Sequence, residues 1–360
     1  MSESARSDGV ISSLETRVRK VWSGDAGLGI RIASALYGLG HDGRNLLFDA
    51  GILESRGMPI PVISVGGLTS GGSGKTPISA AVAGWLLEGG RRPAVITGGV
   101  PDEAAVHRML NPDLTVIDRR DRRSAVRGAM ESGAGVADLD SGLQLRRVRS
   151  DLQIVCVDAH SALLPGRRRL PAGPFRDRWS ALQRAHAVIL IRRGADSSSH
   201  RSSTAVRALL AEFDNLAPGL LACSCVIRPT GIRAANAAAE GINPSHDTVA
   251  VAGVMWPESF FVALDELGIA TKSRLAFRDH EPYASRQLEF ILTAGTGGVF
   301  CTLMDAVKLG PQLADDVPVW YLEEEAIWEV GEAQLHRGVL RTAFVHQITG
   351  PADSLQGDRL

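Results

Sequence analysis

At 360 residues the chain is long enough for about two domains with a sizeable core. Its composition, 44% hydrophobic and 22% charged, is that of an ordinary globular protein, and a formal net charge of −1 gives no global signal for nucleic acid. No run approaches the roughly 18 apolar residues of a membrane span, and MSESARSDGVISS lacks an apolar signal core, so the expected location is the cytoplasm, with at most peripheral membrane contact.

Residues 1–13 form a polar tail, and from Leu14 to about Asp49 the chain is amphipathic. Ile30, Ala33, Leu36, Tyr37 and Leu39 can share a helical face with Arg and Lys alongside, which suits a helix packed on a core or one that dips into a bilayer interface. Pro61–Val65 then reads as a buried strand and Ile78–Leu87 as a helix, joined by Gly66-Gly67-Leu68-Thr69-Ser70-Gly71-Gly72-Ser73-Gly74-Lys75-Thr76. Strand, glycine loop and a helix opening on Gly-Lys-Thr is the context of a P-loop. Its glycines let backbone N–H groups converge on phosphate oxygens, and the helix N-terminus adds partial positive charge. The expected nucleotide contacts are Thr69, Gly71, Gly72, Ser73, Gly74, Lys75 and Thr76, with Lys75 reaching the β/γ-phosphates and the Thr76 hydroxyl on Mg²⁺. Thr69 stands where the pattern has its first glycine.

Arg92–Thr97 is a second strand, which makes a βαβ start and a parallel sheet. Residues 98–103 read as a loop into a helix over Ala104–Leu110, with Asp102 either an N-cap or a group at the strand-end edge where α/β folds place chemistry. Leu114–Ile117 is a strand, Arg122–Ser132 a helix, and Val136–Asp140 a strand ending in an acid, with Gln144 just beyond. Ile154–Asp158 is the next buried strand. Leu163–Arg178, with Arg167-Arg168-Arg169 and three prolines, is a stiff cationic loop, and Ala187–Ile191 closes this part. A polar linker follows, then strands at Thr248–Gly253, Val299–Leu303 and Val317–Leu322, a strand and turn at Leu275–His280, and a helix at Pro257–Leu267. Cys156, Cys223, Cys225 and Cys301 lie mostly in apolar runs and suit core packing in a reducing compartment.

Laid out in this order, the motifs resemble those of the tetraacyldisaccharide 4′-kinases of lipid A synthesis, from about Leu36 to Leu322. Ala35-Leu36-Tyr37-Gly38 with Arg44–Gly51 resembles the family's membrane-facing N-terminal segment, and Pro61–Pro77 its P-loop, which also lacks the first glycine. Asp102-Glu103, Asp140-Ser141-Gly142-Leu143-Gln144, Leu170-Pro171-Ala172-Gly173-Pro174-Phe175-Arg176, Asp279-His280 and Thr302–Lys308 stand where the family has further motifs.

The resemblance implies a two-lobed P-loop NTPase-like α/β fold: an N-terminal tail and helices over 1–57, a kinase core over 58–192, a linker over 193–215 and a C-terminal α/β lobe over 216–360. It implies a kinase that moves the γ-phosphate of ATP, with Mg²⁺, to the 4′-hydroxyl of a tetraacyldisaccharide 1-phosphate at the cytoplasmic face of the inner membrane. Asp102, supported by His280, takes the hydroxyl proton. Lys75 and Asp140 complete the catalytic set, Thr76, Glu103 and Gln144 surround the metal, and Arg176 and Arg169 meet the anionic acceptor. The chain departs from the family pattern at Ser141, Leu145, Gly98-Gly99-Val100, Asp177 and Met304, and the segment before Asp102 is short. These departures leave two alternatives, a catalytically weakened nucleotide-binding paralogue and a P-loop kinase with a soluble acceptor. An Asn-Lys-x-Asp guanine-reading motif is absent from the sequence, and no nucleic-acid partner is expected.

Overall fold

The computed structural model describes residues 18–140, 142–193 and 200–349. The polar tail at 1–13, Ser141 and residues 194–199 of the expected linker lie outside the described residues. The chain divides into two compact units, one of them comprising Val21–Arg192, Asp196–Val226 and Ala326–Leu360.

After a short helical turn at Val21–Asp25, that unit carries helix α1 (Leu28–Asp49). Six strands follow, β1 (Val62–Gly67), β2 (Pro93–Thr97), β3 (Thr115–Asp118), β4 (Val136–Asp140), β5 (Leu152–Asp158) and β6 (Ala187–Arg193). Between them lie α2 (Lys75–Glu88), α3 (Pro101–Leu110) and α4 (Arg122–Glu131). The strands run β3-β2-β4-β1-β5-β6 with parallel pairings. β1, β2 and β4 are buried at every position, as expected of strands covered by helices on both faces. Because all six run the same way, the ends of β1, β2 and β4 reach one edge. Val65 of β1 stands beside Asp140 of β4, and β1 has neighbours on both sides that arrive later in the chain. This is the strand reversal where open α/β sheets hold their ligands.

Residues 200–215 of the expected linker belong instead to helix α5 (His200–Leu216). Leu209 and Phe213 are buried in one cluster with Leu68, Val155, Phe175, Leu182 and Leu190, so apolar burial at helical spacing overrides the polar start of the segment. The lobe expected over 216–360 is divided as well. Strand β7 (Leu221–Ala234) begins in the P-loop unit, and the chain from Ala326 onward returns to it.

The other unit is built mainly from Ile227–Glu325. It contains the rest of β7, β8 (Val249–Ala252), α6 (Pro257–Glu266), β9 (Ser273–Ala276), α7 (Ser285–Ala294), β10 (Val299–Cys301), α8 (Leu303–Leu309) and most of β11 (Val319–Val330). Parallel pairing runs β11-β10-β8-β9. Phe260, Phe300, Trp320 and Leu264 form its core. Helix α9 (Glu332–Thr349) belongs to the P-loop unit, where Trp85 of α2 meets the rings of Trp328 and His336 at centroid distances of 5.6 and 5.0 Å. All four cysteines are buried and free.

Candidate active site

The loop between β1 and α2 is shaped by glycines. Gly71, Gly72 and Gly74 have φ of 72°, 61° and 72°, the left-handed region that other L-residues enter at a cost. A Cβ on Gly67 would come within 2.5 Å of Ser73 Oγ, and one on Gly74 within 2.7 Å of Ile191 Cδ1. A Cβ at either position would have to push the neighbouring side chain aside. Gly74 is the N-cap and Lys75 the first residue of α2, so Lys75 and Thr76 stand at the positive end of a 14-residue helix. Lys75 Nζ donates to Ser73 Oγ at 3.3 Å, folded back along the loop. The open backbone, the helix end and a half-buried lysine fit a triphosphate.

Thr69 lies deeper. It is buried, its Oγ1 has no hydrogen-bond partner among the described residues, and it bridges Phe175 in antiparallel fashion. Ser70 N donates to Pro174 O at 2.8 Å and Arg176 N to Leu68 O at 3.0 Å. The cationic loop is therefore fastened to the start of the phosphate loop by backbone bonds, with Phe175 fully buried beneath.

Asp102 and Glu103 lie in the first turn of α3, which begins at Pro101 and not at Ala104. The N-cap position belongs to Val100, so Asp102 is not the cap. Proline at the first helical position needs no donor for its missing N–H, which is why the helix begins there. Both carboxylates meet the positive end of the helix, and Asp102 Oδ1 accepts from Glu103 N at 3.1 Å. Asp140, at the end of β4, is buried and accepts a 3.0 Å hydrogen bond from His107 Nε2 of α3. Gln144 Nε2 donates to Gly67 O at 3.1 Å, which occupies the amide nitrogen and leaves a ligand role to Oε1. Thr76 in the first turn of α2, Glu103 in the first turn of α3 and Gln144 after β4 follow strands β1, β2 and β4, whose ends share one edge; an ion such as Mg²⁺, bound partly through phosphates, takes few protein ligands. Among the described residues no group of three or more His, Cys, Asp or Glu is arranged to hold a metal.

Sequence reasoning missed His107 and Arg122. Arg122, at the start of α4, is buried and donates to Thr97 O, to Arg119 O at 2.6 Å and to Asp140 O at 3.4 Å. Burial pulls its guanidinium below the ordinary value, and Asp140, Glu103 and Asp118 oppose that shift. A Cβ on Gly98 would lie 3.0 Å from Arg122 Nη2, so the guanidinium occupies the space a side chain after β2 would take. Neither residue sits in a spacing pattern, which is why the sequence did not give them away.

Of the arginines expected to meet the acceptor, Arg169 is committed to α1, donating to Gly38 O at 3.2 Å and pairing with Asp42 at 2.8 Å. Arg167 forms a two-pronged pair with Glu212 at 2.5 and 2.7 Å and lies 3.6 Å from the Trp179 ring centroid. Arg176 is half-buried, with its carbonyl accepting from Tyr37 Oη at 3.2 Å. His280 belongs to the other unit. It is exposed, sits at φ 58°, and its N–H donates to Gly253 O at 3.2 Å.

With this geometry in place, the comparisons decide the family. The model of the tetraacyldisaccharide-1-P 4′-kinase family matches residues 27–343. The chain belongs to this family. A tetraacyldisaccharide 4′-kinase of Halorhodospira halophila is 33% identical over 315 residues, covering 81% of this chain and 86% of its own. One from Geobacter metallireducens is 33% identical over 316 residues, covering 79% and 89%. Among solved structures, LpxK from Aquifex aeolicus, in complex with ATP, superposes with a TM-score of 0.66 at 23% identity, over 92% of this chain and all of that one. The family expected from the motifs is the family found, and the fold is that of a P-loop kinase with a mostly parallel sheet.

Proposed function

We propose that this family member transfers the γ-phosphoryl group of ATP to the 4′-hydroxyl of a tetraacyldisaccharide 1-phosphate, working at a membrane surface. The observation that carries the reading is the left-handed glycine cradle opening onto Lys75 and Thr76, on the same sheet edge as the Asp102-Glu103 turn and Asp140. Phosphoryl transfer asks the protein for position and charge neutralisation more than for covalent chemistry. The loop amides and the Lys75 ammonium hold the phosphates. Asp102 accepts the proton of the attacking hydroxyl. Thr76, Glu103 and Gln144 are the residues that would hold Mg²⁺, which supplies charge neutralisation at the phosphates when bound.

The membrane part rests on α1. Its inner side is polar and docked: Ser34 Oγ donates to Arg169 O at 2.8 Å, Arg44 to Gln144 O at 3.1 Å and Arg146 to Asn45 O at 2.8 Å. Leu28, Ile32, Leu36, Leu39 and Leu46 are 53–75% exposed at spacings that form one ridge. No described helix is long and apolar enough to cross a membrane. An apolar ridge on a helix held from its polar side suits insertion into a bilayer interface, where a lipid-linked acceptor is reached.

Purified protein with radiolabelled ATP, Mg²⁺ and tetraacyldisaccharide 1-phosphate in detergent micelles tests the reading. Labelled 4′-phosphate product supports it. ATP binding with no product at saturating protein would make the chain a nucleotide-binding paralogue, and turnover of a soluble acceptor alone would overturn the lipid assignment.

A further inference from the structure

We infer that His107 is a positioning residue: through its buried bond to Asp140 it latches α3, and with it Asp102 and Glu103, to the edge of the P-loop sheet. The inference rests on the reading of Asp102 as the base.

His107 lies four residues after Glu103, so the two share a face of α3 one turn apart, with Asp102 in the same first turn as Glu103. The imidazole is fully buried, and Nε2–H donates to Asp140 Oδ2 at 3.0 Å, with Asp140 1% exposed. Nδ1 meets no partner among the described residues, so the ring's hydrogen bonding depends on Asp140. Asp140 is itself held, since its carbonyl accepts from Arg122 Nη2, while Arg122 Nη1 binds the carbonyl of Thr97, the last residue of β2. The latch thus ends on a fixed point of the sheet.

Energetics favour a positional role over a stabilising one. A buried histidine–carboxylate pair loses hydration on both sides, and well-packed apolar residues of similar volume are commonly as stable or more so. Ala104 and Val106 already give α3 an apolar contact with the core. What a leucine at position 107 could not supply is a direction. The link from β2 to α3 is only three residues, Gly98-Gly99-Val100, and Gly99 has φ 78°. This short connection is pinned at Gly99 N by a 2.6 Å bond to Asp118 Oδ1, which fixes its start but not the rotation of the helix beyond it, and His107, two turns further along, is placed to set that rotation.

The test uses the full-length protein and compares His107→Leu, His107→Asn, His107→Gln and Asp102→Ala with wild type. Each is measured for cooperative thermal unfolding, ATP binding by calorimetry, and kcat and KM with the lipid acceptor in micelles. Leucine removes the donor. Asparagine keeps polarity but is too short to reach Asp140, and glutamine places an N–H near the Nε2 position. His107→Leu and His107→Asn are expected to bind ATP within about threefold of wild type and to lose kcat about a hundredfold, the scale of a ~1 Å misplacement of reacting groups. KM should change little, and His107→Gln should recover most of kcat. If His107→Leu fails to fold, His107→Asn decides. Wild-type kcat in a folded His107→Asn, or loss of ATP affinity in step with kcat, overturns the inference. Wild-type turnover in Asp102→Ala instead overturns the base assignment, so the two failures are distinguishable.

Discussion

Ser79 Oγ donates a 2.7 Å hydrogen bond to Asp138 Oδ2 in the solvent-free interior of the P-loop unit. Burial pushes the Asp138 carboxyl from its ordinary 3.8 up to about 7, against the pull of the Ser79 bond and His107 and with a push from Asp140. A carboxyl that holds its proton more tightly in the folded chain stabilises the fold fully below its unfolded value, and that contribution disappears as pH rises through about 7. Asp138→Asn stays neutral throughout. In urea unfolding, the stability of wild type relative to Asp138→Asn should therefore fall by about 2–3 kcal/mol between pH 5 and pH 8. A difference that does not change with pH would show the carboxyl titrating normally.

Lys75 and Asp102 should fail in different ways. On the proposed reading Lys75→Ala removes a charge at the phosphates, and both ATP affinity and turnover should drop. Asp102→Ala should lower kcat by about 10²–10⁴-fold, the range for a general base, with ATP affinity nearly unchanged. Calorimetry with ATP beside steady-state rates separates the two.

The α1 ridge gives a prediction outside the chemistry. Leu36→Glu with Leu39→Glu should reduce binding to phospholipid vesicles by more than tenfold, since each buried leucine is worth about 1.5–3 kcal/mol. ATP binding should be unaffected. Vesicle flotation of the double variant at wild-type level would remove α1 from the membrane contact.

In the second unit Asp305 collects three donors, Gly253 N at 2.8 Å, Tyr283 Oη at 2.8 Å and Thr302 Oγ1 at 2.6 Å, and pairs with Lys308 at 3.3 Å. Burial holds the Tyr283 phenol well above its usual range, so it remains a donor. Gly253 in turn accepts from His280 N. Asp305→Ala strands these donors in the core and should cost about 3 kcal/mol or more in denaturant unfolding, with Asp305→Asn costing less. Limited proteolysis should then cut first around residues 278–283.

The sequence showed the βαβ start clearly because β1 and the Gly-Lys-Thr helix carry local signals: β-branched residues, glycines and an alanine-rich run. It showed less where tertiary contact decides. The segment after His200 has a serine-rich start and read as linker, although Val206, Leu209, Leu210, Phe213 and Leu216 already had helical spacing; Phe213 is now seen stacked on Trp179. The loop expected over 98–103 ends earlier than expected, since Pro101 fills the first position of α3. Helix α9 was not anticipated at all. His107 was illegible for a plainer reason: its partner Asp140 lies 33 residues away, and a single histidine in a helix announces nothing.

The ladder of backbone bonds from Leu68 and Ser70 to Pro174 and Arg176 has a consequence for how such a chain can change. Segments 68–70 and 174–176 are welded edge to edge, so neither can drift alone. Mutations that remould the arginine-rich segment would tug on the glycine loop at the same time, and selection on one would be felt in the other.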